Sequence, residues 1–306
     1  MRVIFMGTPD FAVPTLDALV EAGHQVVLVV AQPDKPAGRG RKLRAPPVAR
    51  RAQELELPLA QPRALRRGPF PERYCSLEAD VAVVIAYGRI LPARLLDSPR
   101  HGCVNVHASL LPRWRGAAPI HWALAEGDEV TGVCTQRMEE GLDVGPVYLS
   151  RSVAVAPRET AGSLHDRLAV LGAEVAVATL AELDTLVPVP QDESGVTWAP
   201  KITKDDGRVD WTWPAVRIDR RVRAMTPWPG GWVAGEGGPL KLIEVEVAEG
   251  QGNPGQIVST SPLVVACGEG AVQLCRVQAP GRRQVAGSDY ANGARLAVGA
   301  HLPGGS

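Results

Sequence analysis

MRVIFMGTPDFAVPTLDALVEAGHQVVLVVAQ, residues 1–32, decides the fold class. RVIFM at 2–6 is a continuous apolar run of strand length that stops at Gly7. FAVPTLDALVEAG at 11–23 spaces its apolar residues at helical intervals and closes on Gly23. HQVVLVVAQ at 24–32 is a second strand. A strand, a helix and a strand in this order predict the start of a parallel sheet, and strands without polar alternation suit a sheet covered by helices on both faces. ADVAVVIAYG at 79–88 and GCVNVH at 102–107 have the same character. GAAPIHWALAEG at 116–127 reads as the next helix, VTGVCTQRM and PVYLSRSVAV as later strands, and ETAGSLHDRLAVLGAEVAVATLAELD at 159–184 as a long closing helix. The expectation is a doubly wound α/β domain over residues 1–186.

Beyond it the pattern changes. VPVPQDESGVTWAPKITKDDGR mixes Pro, Gly, Asp and Ser without sustained periodicity, and residues 187–207 are read as a linker over the surface. Short β-type runs, among them LKLIEVEVA, LVVACG and AVQLCRV, follow between Gly, Pro and Asn turns. They predict a small β-barrel over 208–306, with the tail AVGAHLPGGS frayed.

The chain of 306 residues is 45% hydrophobic and 22% charged, which excludes wholesale disorder. Five cysteines, without a C-x-x-C pair, read as reduced and mostly buried thiols of a cytoplasmic protein rather than a zinc or dithiol site. No apolar run reaches the roughly 20 residues that span a bilayer, so no membrane partner is expected. Lys plus Arg and Asp plus Glu balance at 33 each, yet eleven basic and three acidic residues lie between Lys35 and Arg73. Whole-chain neutrality therefore hides a local cationic segment.

RVIFMGTPDF places a glycine turn after a strand, but Pro9 stands where a dinucleotide fingerprint needs glycine, so the NAD reading is weak. Asn105 and His107 end a buried strand and point the same way, where ligands of open α/β sheets sit. A strand-end Asn and His also commonly serve only loop backbone. Asp143, flanked by Gly141 and Gly145, is either an Asx turn or a carboxylate held beside an imidazole. Asn, His and Asp without a nearby nucleophile point to direct transfer, with an amide donor for an oxyanion and an imidazole for the proton.

VNVHASLLPRWRGAAPIHWAL at 104–124, MEEGLDVGPV at 138–147, MGTPDFAVPTLDAL at 6–19, QPDKPAGRGRKLRAPPV at 32–48 and TWAPKITKDDGRVDW at 197–211 together resemble the formyltransferases that use 10-formyltetrahydrofolate. The match runs in order over most of the chain and is closest to the branch acting on methionyl-tRNA. It implies a Rossmann-like formyltransferase domain followed by an oligonucleotide-binding-like β-barrel. Asn105, His107 and Asp143 match the family's catalytic three, and Ser109, Leu110, Leu111 and Pro112 match the stretch that contacts folate. Trp114 stands where the family often has another aromatic, which does not touch the proposed chemistry. The resemblance implies 10-formyltetrahydrofolate as donor and initiator methionyl-tRNA as acceptor; no metal is expected, because no ligand cluster supports one, and a cytoplasmic monomer is expected. A basic insertion near 34–51, with Lys35, Arg39, Arg41, Lys42 and Arg44, is where tRNA contacts are expected, although an Arg-rich loop is often only a solvated surface. Rivals are a formyltransferase for another amine such as a nucleotide-linked amino sugar, a tRNA-binding module without catalysis, and a folate-dependent hydrolase. The first should lack this insertion, the second should lack one of the catalytic three, and the third would release formate without an amine.

Overall fold

A computed structural model describes residues 1–37, 42–235 and 237–302. Two compact units divide the chain, and neither is a continuous segment. The first comprises Met1–Pro119, Val130–Ala154 and His165–Ala199, and the second comprises Ile120–Glu129, Val155–Leu164 and the chain from Pro200 onward.

In chain order the first part runs β1 (Arg2–Gly7), α1 (Val13–Glu21), β2 (Gln25–Val30), β3 (Lys35–Ala37), β4 (Lys42–Arg44), α2 (Pro47–Glu54), β5 (Leu59–Ala60), α3 (Phe70–Cys75), β6 (Val81–Ile85), α4 (Ala93–Leu96) and β7 (Cys103–His107). β8 (Arg115–Gly116), α5 (Pro119–Glu126), β9 (Val130–Arg137), β10 (Val147–Ala154), α6 (Ala161–Glu182) and β11 (Trp198–Ala199) follow. The main sheet has the order β10-β9-β7-β6-β1-β2-β5. Its five strands from β7 to β5 are parallel, while β9 runs antiparallel beside β7 and β10 pairs antiparallel with β9 at the sheet edge. Its apolar runs are buried as continuous strands require: Ile4, Met6, Leu28 and Val30 pack with Phe70, Tyr74 and Leu95 on one face.

The order reverses at β1, whose neighbours are β2 on one side and β6 on the other. The loops leaving these three strands are stitched together. Thr8 Oγ1 donates to the Tyr87 carbonyl at 3.1 Å, and Gln32 Nε2 donates to the same carbonyl at 2.8 Å. Pro46 and Pro47 start α2, where a missing N–H costs nothing.

The second unit contains α7 (Ala215–Ala224), β12 (Gly231–Val233), β13 (Leu240–Ala248), β14 (Ile257–Thr260), β15 (Leu263–Ala266), β16 (Ala271–Gln278), β17 (Val285–Ala286) and α8 (Gly287–Gly293). Its strands are antiparallel in the order β12-β13-β16-β15-β14, with β17 beside β16. Val209, Trp211, Ile218, Val222, Leu242, Val265 and Leu274 form its core. A Rossmann-like first unit and an antiparallel second unit are the architecture the sequence implies.

Two expectations are corrected. The segment 187–207 is not a surface linker throughout: its residues up to Ala199 belong to the first unit, and those from Pro200 belong to the second. Backbone pairing is the reason, since Val189 bridges to Val147 and β11 pairs in parallel with β8. The tail is tied down as far as Leu302, which is buried and donates its N–H to the Gly255 carbonyl at 2.9 Å. The remaining residues of the tail lie outside the described residues.

Candidate active site

β7 presents Asn105 and His107 on one side of the sheet, because side chains two apart in a strand share a face. Opposite them on β9 the register sets Gln136 against Asn105 and Cys134 against His107. The turn between β9 and β10 returns over this strand end and delivers Asp143. Asp143 Oδ1 accepts from Asn105 Nδ2 at 3.3 Å and from Gln136 Nε2 at 3.0 Å, and it faces His107 Nδ1 at 3.6 Å. Oδ2 accepts the Gly116 N–H at 2.9 Å. The three residues expected to be catalytic meet at one carboxylate.

That carboxylate is held by a strained turn. Asp143 has φ 55°, a left-handed conformation that costs a non-glycine residue about 1 kcal/mol. The turn fits only because Gly145 lacks a side chain: a Cβ there would overlap the Arg137 carbonyl.

His107 has a defined tautomer. Its Nε2 lies 2.9 Å from the carbonyl oxygen of Trp114, which can only accept, so Nε2 carries a hydrogen. Nδ1 is then the ring atom left to face Asp143, and the imidazole side chain is 7% exposed. Trp114 itself sits at φ 64°, with its N–H held by Thr197 Oγ1 at 2.9 Å and the Arg113 guanidinium 4.5 Å from its ring. Beside His107 on β9, burial pushes the Cys134 thiol up to about 12, which keeps it protonated and removes it as a nucleophile.

Ser109, Leu110, Leu111 and Pro112 follow β7 directly. Ser109 is buried and its hydroxyl donates to the Arg113 carbonyl at 2.6 Å. Leu110, Leu111 and Pro112 are half-buried, and the Leu111–Pro112 peptide is cis. The stretch therefore offers apolar side chains and backbone to a ligand, while its serine proton is already committed.

Sequence reasoning missed Gln136, Arg115, Gly116 and Gln191. A glutamine at the end of an otherwise buried strand was a signal for the first, since a buried amide needs partners. Gln191 gave none, being 48 residues from Asp143 in a Pro- and Gly-rich stretch. Its Nε2 donates to the carbonyls of Asp143 at 2.8 Å and Gly145 at 2.7 Å. Arg115, 3% exposed, donates from Nε to Gln191 Oε1 at 3.0 Å and pairs with Glu193 at 2.7 Å.

Of the residues expected at tRNA, Arg39 and Arg41 lie outside the described residues. Lys35, Lys42 and Arg44 belong to a β3–β4 ribbon in which Lys35 pairs with Arg44 and Ala37 with Lys42. This register puts the three cations on one face and exposed Leu43 on the other. In the second unit the Arg217 guanidinium lies 4.4 Å over the Trp213 ring, and Arg221 lies 5.5 Å from both Trp213 and Trp122. Burial, followed by the Arg217 charge, lowers the pKa of Arg221. Among the described residues no group of three or more His, Cys, Asp or Glu is placed to hold a metal ion. No described helix is long and apolar enough to cross a membrane.

Residues 1–180 match the family described as formyl transferase, and residues 201–295 match the formyl transferase C-terminal domain. The chain belongs to the formyl transferase family. Its similar relatives include a methionyl-tRNA formyltransferase of Ruegeria pomeroyi, 53% identical over 92% of this chain and 93% of the relative. Another, from Jannaschia sp., also named methionyl-tRNA formyltransferase, is 51% identical over 99% of this chain and all of the relative. Among solved structures, an N-formyltransferase of Helicobacter canadensis in complex with folinic acid and dTDP-3-aminofucose superposes with a TM-score of 0.68 at 13% identity, covering 90% of this chain and 98% of that one. HypX of Aquifex aeolicus in complex with tetrahydrofolic acid gives 0.63 at 18% identity, over 97% of this chain and 48% of that one. At these identities the two structures speak for the fold alone.

Proposed function

We propose that this protein transfers the formyl group of 10-formyltetrahydrofolate to the α-amino group of initiator methionyl-tRNA. The observation that carries the reading is the convergence of Asn105, His107 and Gln136 around the Asp143 carboxylate, in a chain about half identical to methionyl-tRNA formyltransferases. The folate donor belongs beside Leu110, Leu111 and Pro112, where half-buried apolar groups next to polar donors suit a flat heteroaromatic ring.

The reaction forms one C–N bond and breaks another. The methionyl nitrogen attacks the formyl carbon, the carbonyl oxygen takes the negative charge of a tetrahedral carbon, and the bond to the folate nitrogen then breaks. One proton leaves the amine and one reaches the departing nitrogen, so none is consumed. Asn105 Nδ2 uses one hydrogen on Asp143 and turns the other toward the oxyanion. His107 exchanges its proton at Nδ1, because Nε2–H is held by Trp114. The 3.6 Å between Nδ1 and Asp143 Oδ1 is longer than a direct hydrogen bond, and the substrate amine or one water spans it. Asp143 keeps the amine and the imidazole in line, and Gln136 and Gly116 hold its two oxygens in place.

The test offers the protein 10-formyltetrahydrofolate with initiator methionyl-tRNA, elongator methionyl-tRNA, an amino-sugar nucleotide or water alone. Formyl transfer to the initiator species is expected. Transfer to the amino sugar alone, or formate release without an amine, overturns the reading.

A further inference from the structure

The residues that hold Asp143 include a chain of side chains from far along the sequence. Glu193 pairs with both terminal nitrogens of Arg115, at 2.7 and 3.2 Å, and Arg115 Nε donates to Gln191 Oε1 at 3.0 Å. That hydrogen bond fixes which way the Gln191 amide faces, because a guanidinium can only donate. The NH₂ group must therefore point at the carbonyls of Asp143 and Gly145, which it reaches at 2.8 and 2.7 Å. It also lies 3.4 Å from Gln136 Oε1, while the amide nitrogen of Gln136 donates to Asp143 Oδ1. Gln191 thus grips the backbone on which Asp143 rides and braces the amide that orients its carboxylate.

We propose that Gln191, oriented by Arg115 and Glu193, is a positioning residue for the reaction, acting on the reacting atoms only through the turn at 141–145 and the carboxylate of Asp143. The inference rests on Asp143 serving as proposed above. A left-handed aspartate between two glycines has several conformations open to it, and the surroundings have to select one. Gly116 N–H and Gln136 fix the two carboxylate oxygens, but the main chain of Asp143 receives its side-chain hydrogen bond from Gln191. Gln191 is half-buried, so water can replace its hydrogen bonds when it is removed. Its loss therefore costs the turn its geometry more than it costs the protein its fold.

The test is steady-state kinetics of the full chain with 10-formyltetrahydrofolate and methionyl-tRNA, for Gln191→Leu, Asp143→Asn and the double variant. Gln191→Leu is expected to lower kcat about 10- to 100-fold, the scale set by a misplacement near 1 Å. KM for both substrates should stay within about twofold, as for an interaction made only in the transition state. In the Asp143→Asn background the same change should alter kcat less than about twofold, since the carboxylate through which Gln191 acts is gone. An equal loss in both backgrounds, or a kcat within about threefold of wild type, overturns the proposal. If Gln191→Leu melts early, Gln191→Asn, whose amide falls one methylene short, carries the same comparison. Wild-type protein that fails to formylate methionyl-tRNA counts against the proposed function instead, and the cycle is then read on the acceptor that it does formylate.

Discussion

Asp143 Oδ1 meets the side chains of Asn105, Gln136 and His107, and its backbone depends on Gly145 having no side chain. Gly145→Ala would push a methyl group into the Arg137 carbonyl, so the turn has to move and take the carboxylate with it. We expect a fall in kcat of about 10²-fold, measured in the same transfer assay, with a thermal melt to separate misplacement from unfolding. The thiols give a second prediction. Burial pushes Cys103, Cys134 and Cys267 up to about 12, so they hold their protons at pH 8, whereas Cys75 is half-buried. Iodoacetamide should label Cys75 and Cys275, the two half-buried thiols, before these three, with mass spectrometry as the readout; early labelling of Cys134 would contradict its burial beside His107. Asn105, His107 and Asp143 were legible because each stands in a long motif at a strand end or glycine turn. Gln136 could be flagged only as a buried amide in need of a partner, because which partner it takes is set by the β7–β9 register rather than by any local pattern.

Short elements were the hardest to read. β8 and β11 are two residues each, too short for periodicity, yet their pairing places the Gly116 N–H on Asp143 and carries Thr197 to the Trp114 N–H. Gly116, at φ 129°, would bring a Cβ within 2.5 Å of the Ala199 carbonyl, which explains why this ladder needs glycine. The long elements were visible because continuous apolar strands and 3.6-residue periodicity survive at that length. The basic insertion was visible only as charge. Its flanks form a ribbon that gathers Lys35, Lys42 and Arg44 on one face. Replacing these three with alanine should weaken tRNA binding and reduce the salt slope by roughly one unit for each phosphate no longer neutralised. Filter binding across a salt series checks this, and folate affinity should not change. An unaltered slope would remove the ribbon from tRNA recognition.

At the scale of the whole molecule, neither unit is a simple half of the chain. Ile120–Glu129 and Val155–Leu164 belong with the C-terminal unit, where Arg158 pairs with Asp219 at 3.2 Å and Arg223 donates to the Glu159 carbonyl at 2.9 Å. A fragment starting at Pro200 lacks these partners and should melt below the corresponding transition of the intact chain, by circular dichroism; an equal melting temperature would contradict the division. The sequence placed the boundary among residues 187–207 from composition, which cannot reveal that Gln191 and Glu193 are tied to Arg115 of the first unit. The central claim is that Asn105, His107 and Asp143 carry direct formyl transfer to methionyl-tRNA, and a single-turnover rapid-quench experiment tests it most directly. With saturating 10-formyltetrahydrofolate and initiator methionyl-tRNA, Asn105→Ala, His107→Ala and Asp143→Asn should each slow the chemical step by roughly 10²- to 10³-fold. Rates near wild type in all three would contradict the account.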